Sequence, residues 1–291
     1  MRGVAGRLDS AERVFMNNEL TELKSHFSFG ENWASYAEHI GTRELTAAKE
    51  GLRRLLGATA LAGKRLLDIG CGAGVHSLAA LELGASEVVA VDLDPSSVKT
   101  ARMLLAKYAP DAHYRVEESS VFDLSPNILG KFDIVYSWGV LHHTGDMDLA
   151  LRKAAGMLGE RGEFVFALYR RTLMCPFWRV EKRWYSRAPR SLQWLARKAY
   201  VTLFVLRLWT RGRRFAKYKA DYHKTRGMDF YHDVHDWLGG YPYESVSSKK
   251  IDHLMSELGL THVRSFVARN GFWSKFGLFG SGCDEYVYAK R

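Results

Sequence analysis

Residues 66–74 read Leu-Leu-Asp-Ile-Gly-Cys-Gly-Ala-Gly, an apolar run that meets glycine at three alternate positions. The run Arg65–Ile69 suits a buried strand of a parallel sheet. Gly70, Gly72 and Gly74 let the chain turn tightly and let a ligand reach the backbone with no Cβ in the way. Val75–Leu83 then reads as a helix closed by Gly84. Its first backbone N–H groups face an anionic part of any ligand held in the turn. A dinucleotide fingerprint would carry its third glycine at position 75, where Val75 stands instead. Asp68, two residues before the first glycine, suits an ammonium better than a pyrophosphate.

The pattern continues for a hundred residues. Val88–Val91 form a second short strand ending in Asp92, 22 residues after Gly70, where an acidic side chain commonly accepts from ribose hydroxyls. Leu93 follows, and Asp94-Pro95 opens a helix through Lys107. Tyr114–Glu117 read as a third strand, followed by Ser119-Ser120-Val121. Phe132–Ser137 form a fourth, running into Trp138-Gly139-Val140-Leu141-His142-His143. Glu163–Tyr169 make a fifth after a Gly159–Gly162 turn. Further on, a helix Lys249–Leu258 stops at Gly259, and Thr261–Ala268 and Glu285–Lys290 read as two strands joined by a Gly-rich loop.

In order, spacing and residue identity these elements resemble the class I S-adenosylmethionine-dependent methyltransferases. The loop 66–74 resembles the first motif of that family and the segment 132–143 its fourth. The resemblance implies an α/β fold, a Rossmann-like seven-stranded, mostly parallel sheet with helices on both faces, ending in an antiparallel strand pair. It also implies S-adenosylmethionine as cofactor, held by Asp68, Gly70, Cys71, Gly72, Asp92, Leu93, Ser120, Val121, Ser137 and Trp138. Ser120 stands where similar enzymes often place an Asp against the adenine amine, so that contact is weaker or falls to the backbone. The N-terminal aromatic piece from His26 through Trp33 to Tyr36 either folds over the cofactor, with Trp33 as a contact, or packs against the sheet. The pattern is loosely similar to the ubiquinone-biosynthesis O-methyltransferases over about residues 26–169 and 246–291.

Four segments follow: an N-terminal helical cap (1–62, with helices at Leu8–Leu23 and Thr42–Leu56), the cofactor-binding core (63–169), a basic helical insertion and substrate segment after the fifth strand (170–245), and a C-terminal helix and strand pair (246–291). Residues 170–219 hold fifteen Lys or Arg and one acid, Glu181. That is +14 locally, against −4 for the rest of a chain whose net charge is +10. Ten aromatics are interleaved, and Ser191–Arg211 reads as a helix whose apolar run Ala199–Leu206 lies between basic flanks. Three readings stand: a lid whose cations are solvated, a lid that also rests peripherally on anionic membrane, and an RNA-binding face. The apolar run favours lipid over nucleic acid. No apolar run reaches the length of about 20 residues that a spanning helix needs. Cys71, Cys175 and Cys283 form no Cys-x-x-Cys pair, and residues 1–7 lack the apolar core of a signal peptide. The expectation is a cytoplasmic protein, peripheral at most to the inner membrane face.

Methyl transfer from a sulfonium is an in-line displacement in which the protein mainly supplies orientation, worth up to about 7–11 kcal/mol. A hydroxyl acceptor also needs a base, typically contributing 10²–10⁴-fold. Ligands of open parallel sheets lie beyond the carboxyl ends of the strands, which places His142 and His143 beside the cofactor. One of the pair is expected to be structural. His235 and Asp236, within a polar and aromatic cluster from His223 to Glu244, are candidates to assist. Histidine and carboxylate spacings there are unspecific for a metal, and none is expected. The reading is O-methylation of a small or lipid-like molecule, with RNA methylation and a non-catalytic cofactor-binding module as alternatives.

Overall fold

The computed structural model describes residues 27, 41–57, 60–226, 230–267 and 275–291, and of 223–226 the backbone alone. The expected helix over Leu8–Leu23 and the expected contact Trp33 lie outside them. The described chain runs α1 (Thr42–Leu56), β1 (Arg65–Ile69), α2 (Val75–Glu82), β2 (Glu87–Asp92), α3 (Pro95–Tyr108), β3 (Tyr114–Glu118), a single-turn α4 (Pro126–Leu129), β4 (Phe132–Trp138), α5 (Met147–Gly156) and β5 (Leu158–Tyr169). Four helices follow, α6 (Cys175–Arg187), α7 (Arg190–Trp209), α8 (Phe215–Arg226) and α9 (Phe230–Gly239), then α10 (Ser248–Glu257), β6 (Leu260–Phe266) and β7 (Cys283–Lys290).

One seven-stranded sheet takes the order β3-β2-β1-β4-β5-β7-β6. The first five strands are parallel, and β7 runs antiparallel to both β5 and β6. Strand alternation explains the two layers of helices. Leu67, Ile69 and Val135 pack with Ala150 and Leu151 of α5 and Ile251 and Leu254 of α10. Leu66, Ile134 and Tyr136 point the other way, onto Leu52 and Leu55 of α1 and Ala79 and Ala80 of α2. Because β1 and β4 are neighbours, strand order reverses between them. A crevice opens there beyond the carboxyl ends, the usual ligand position in such sheets.

Two local expectations change. The Gly159–Gly162 turn lies inside β5, as a bulge where Leu158 opposes Phe132 and Glu163 opposes Ile134. Arg161 takes a φ of 61° there, and a Cβ on Gly162 would lie 3.0 Å from the Phe132 carbonyl oxygen. The strand therefore continues through residues whose glycines read as a break. The basic helix expected over Ser191–Arg211 is α7, preceded by the separate helix α6. Helices α6 to α9 bury an aromatic core of their own, including Trp178, Tyr185, Phe204 and Phe230. Phe27 joins that core, with its N–H bonded to the Tyr241 carbonyl at 3.0 Å.

Arg65 ties the start of β1 to its surroundings. Its guanidinium donates to Glu87 Oε2 at 2.5 Å and to the carbonyls of Lys131 (2.5 Å) and Leu129 (3.2 Å), and it lies 4.7 Å over the Phe132 ring. Replacing it leaves the buried Glu87 carboxylate to Arg115 alone and removes the side-chain donor from two carbonyls. Arg65→Met is expected to lower the urea-unfolding free energy by about 1–3 kcal/mol, and Arg65→Lys to recover little of it, because an ammonium cannot fork to three acceptors.

Candidate functional site

The glycine turn is clamped from below by β2. Gly70 and Cys71 donate to the Val91 carbonyl at 2.8 and 3.1 Å. The Asp92 carboxylate accepts from Gly72 N–H at 2.9 Å through one oxygen and from Asp94 N–H at 2.9 Å through the other. The Leu93 N–H also bonds to this carboxylate, which still has acceptor capacity for a ligand hydroxyl. Gly70, Gly72 and Gly74 run at φ of +73°, +54° and +83°, the left-handed region that favours glycine. At Gly70 there is a second reason: a Cβ would lie 2.4 Å from Val140 Cγ1. Burial pushes the Cys71 thiol well above its usual range, which fits a small wall residue better than a nucleophile.

A cavity of about 1020 Å³ starts at this turn. Gly70, Cys71, Gly72, Asp92, Leu93, Ser120, Val121 and Trp138 line it, as do His142, His143 and Asp236. Trp138 Nε1 donates to Glu285 Oε1 at 3.1 Å, and Arg54 donates to the same oxygen at 2.7 Å. The far end is aromatic: Tyr200 and Phe204 of α7, Tyr218 and Tyr222 of α8, Phe230 and Trp237 of α9, and Phe279. Between the two ends, the His142 ring lies 3.8 Å from that of Tyr169, and Tyr169 meets Trp237 edge-on at 5.2 Å.

Three expected contacts sit elsewhere. Ser137 is fully buried and donates to the Ile69 carbonyl at 3.0 Å, so it locks β4 to β1 and forms no part of the cavity wall. His235 turns away to pair with Tyr185, Nδ1 to hydroxyl 2.8 Å, and its ring meets Phe27. Burial, then Arg197 and His232, lower its pKa to about 4. Asp68 lies just behind the wall, bonded to the Ser77 hydroxyl at 2.6 Å. Burial, with Asp92 adding to it, raises its pKa to about 7. A carboxylate held this way gains from a cation brought close to it.

The two neighbouring histidines hold opposite tautomers. His143 Nδ1 lies 2.7 Å from the Pro242 carbonyl, which only accepts, so Nδ1 carries the proton and Nε2 the lone pair. His142 Nδ1 accepts from the Tyr169 N–H at 3.3 Å, so its proton is on Nε2, a buried atom with no hydrogen-bond partner among the described residues. Burial, His143 and Lys182 hold the His142 pKa well below the usual range. Gly240 makes room for this arrangement, since a Cβ there would lie 2.6 Å from His143 Cε1. Lys182 is fully buried with its ammonium 3.7 Å over the Trp237 ring and without a hydrogen-bond partner among the described residues. Burial lowers its pKa.

Sequence reasoning missed Tyr169 and the aromatic end. A signal existed: Tyr200 and Phe204, and Tyr218 and Tyr222, are each four residues apart and therefore share a helix face. Among the described residues no three of His, Cys, Asp or Glu converge to hold a metal ion.

A family profile described as a methyltransferase domain matches residues 67–164. The ubiquinone biosynthesis O-methyltransferase of Xanthomonas euvesicatoria pv. vesicatoria (strain 85-10) is 38% identical over 112 residues, which are 38% of this chain and 46% of that enzyme. The enzyme of the same name from Xanthomonas campestris pv. campestris (strain B100) is 39% identical over 113 residues, 39% of this chain and 46% of its own length. The chain thus matches less than half the length of these curated relatives. The structure of magnesium protoporphyrin IX methyltransferase from Synechocystis PCC 6803 with bound SAM aligns at a TM-score of 0.52. That alignment covers 99% of this chain and 100% of that one at 12% identity, and it shows a shared fold.

Asp68 has a measurable consequence in the protein alone. Its pKa rises from 3.8 to about 7 on folding, so the folded state holds a proton that the unfolded chain releases. Stability from this group is full below about pH 4, falls as pH rises, and levels off above about 7. Asp68→Asn is expected to raise the unfolding free energy by about 2–4 kcal/mol at pH 8, and by roughly half as much at pH 5.5. Thermal denaturation at the two pH values checks it.

Proposed function

We propose that this chain, whose residues 67–164 match a methyltransferase-domain profile, is an S-adenosylmethionine-dependent enzyme that methylates an oxygen of a small or lipid-like acceptor. The observation that carries the reading is a single cavity reaching from the glycine turn, past His143, to an aromatic chamber.

The residues present fit the cofactor. The left-handed glycines leave backbone exposed to a ligand, Asp92 keeps lone pairs for ribose hydroxyls, and the buried Asp68 carboxylate favours an amino acid's ammonium nearby. Leu93, Ser120 and Val121 would enclose the base, and Trp138 would close the wall. When bound, S-adenosylmethionine supplies a methyl group already activated for displacement.

His143 is the base in this reading. Its Nε2 lone pair accepts the acceptor's hydroxyl proton, while the Pro242 carbonyl holds Nδ1–H and stabilises the imidazolium that forms. His142 is ill-suited to that role, since the Tyr169 N–H already occupies its lone pair. It instead presents Nε2–H as a donor to a polar atom of the acceptor. Tyr169, Trp237 and the chamber aromatics supply flat apolar surface, which suits a ring or an acyl or prenyl chain.

Asp92→Ala is expected to weaken S-adenosylmethionine binding about tenfold or more by calorimetry. Absence of binding by the intact protein would sink the reading. His143→Ala is expected to lower turnover about 10²–10⁴-fold with cofactor affinity nearly unchanged, whereas His235→Ala leaves turnover close to that of the parent. Methyl-labelled cofactor incubated with lipid and small-molecule fractions, followed by mass analysis of the product, reads out the acceptor. A label found on nitrogen or on RNA would overturn O-methylation of a small acceptor.

A further inference from the structure

Helices α6 and α7 carry apolar side chains on two faces. On α6 and the residues leading into it, Trp178 and Tyr185 are buried, while Leu173, Phe177, Val180 and Trp184 follow at intervals of three or four and are exposed. On α7, Phe204 and Leu208 are buried, and Leu192 and Leu195, then Leu203, Leu206 and Trp209, two turns further on, share an outward face. Leu173, Val180 and Trp209 each leave 70% or more of their surface exposed. An ordinary surface helix buries its apolar stripe and presents polar residues outward. Of the nineteen exposed large hydrophobics among the described residues, ten lie between 173 and 209, so they are concentrated rather than scattered.

Charge identifies the occupant. The same stretch carries the fifteen cations and single acid of residues 170–219, with Arg179, Arg183, Arg187, Arg190 and Lys198 exposed beside the apolar rows. A second copy of the chain would bring two strongly positive faces together, which like-charge repulsion opposes. RNA would engage the cations and aromatics but gains little from outward Leu and Val. Exposed apolar rows flanked by Arg, with Trp among them, match the interface of an anionic bilayer. No described helix is long and apolar enough to cross a membrane, so contact is along the surface.

We infer that the outward faces of α6 and α7 seat the protein on an anionic lipid surface. The inference rests on these faces alone, independently of which atom is methylated. It also gives the fold a geometric logic. Tyr200 and Phe204, on the inward side of α7, line the aromatic chamber, so one helix separates the proposed lipid surface from the acceptor.

The test is co-sedimentation of the full chain with vesicles of phosphatidylcholine alone and of phosphatidylcholine mixed with phosphatidylglycerol. The expected result is binding to the mixed vesicles, little to the neutral ones, and loss of binding as salt rises. Leu203→Glu and, separately, Leu195→Glu are each expected to weaken vesicle binding about tenfold or more. Thermal midpoint and S-adenosylmethionine affinity stay unchanged, because both side chains point away from the core and the cavity. Three outcomes overturn the inference: no binding to mixed vesicles, mixed-vesicle binding unaffected by either substitution, or bulk RNA displacing the protein from vesicles. A shift from dimer to monomer on substitution, seen by ultracentrifugation without lipid, would assign the face to a second copy instead. Failure of cofactor binding with vesicle binding intact would count against the methyltransferase reading alone.

Discussion

At Gly70 the backbone runs at a φ of +73°, and the Val140 methyls occupy the space a Cβ would need. Two segments 70 residues apart in the chain are pressed together at that point. From one side the Val91 carbonyl holds Gly70 and Cys71, and from the other Val140 closes over them. Leu141, His142 and His143 follow at once, in a single 3₁₀ turn. How closely the turn after β4 approaches the glycine loop therefore sets where the two histidines stand. The ligand-holding loop and the histidine pair form one unit at the switch point of the sheet, supported by rigid strands rather than by loops. A side chain at position 70 would displace both halves together.

The rest of the cavity is attached to that unit through Tyr169. It ends β5, lends its N–H to His142, stacks on the same ring and meets Trp237 of α9 edge-on. Several groups around it are costly. Lys182, His142 and Glu181 each bury a polar atom without a hydrogen-bond partner among the described residues, and such groups reduce stability unless compensated. Lys182 recovers part of the loss through the Trp237 face.

Much of this was legible in the chain. The positions of the first strands are legible as short apolar runs with glycine or acid at their carboxyl ends, because a parallel sheet buried on both faces reads that way, whereas the seven-stranded arrangement was implied by the resemblance to methyltransferases. The turn lining Gly70 to Gly72, Asp92 and the histidine pair was found for the same local reason. The Ser137 side chain falls outside the cavity wall, because sequence gives a strand's end but not the face on which its last residues fall, and a one-residue change of face moves a hydroxyl from cavity to core. His235 and Asp236 are adjacent, yet helix geometry turns them some 100° apart, so only Asp236 reaches the cavity. The aromatic chamber was obscured because its residues come from three helices and the β6–β7 connection. Their convergence depends on tertiary packing, not on any local pattern.

The inner and outer faces of the helices after β5 differ in chemistry, aromatic within the chamber and basic outside. Asp233 and Asp236 lie in the cavity wall, and Tyr222 donates to Asp233. Outside, the same group of helices is strongly cationic. The roof of the chamber is tied to the last strand pair, since Trp178 Nε1 donates to the Gly277 carbonyl at 2.8 Å and the Tyr200 hydroxyl to the Phe279 carbonyl at 3.1 Å. The helices that set specificity are thereby fastened to the connection between β6 and β7. Acceptor choice can change with those helices while the glycine turn and its clamp on β2 stay as they are.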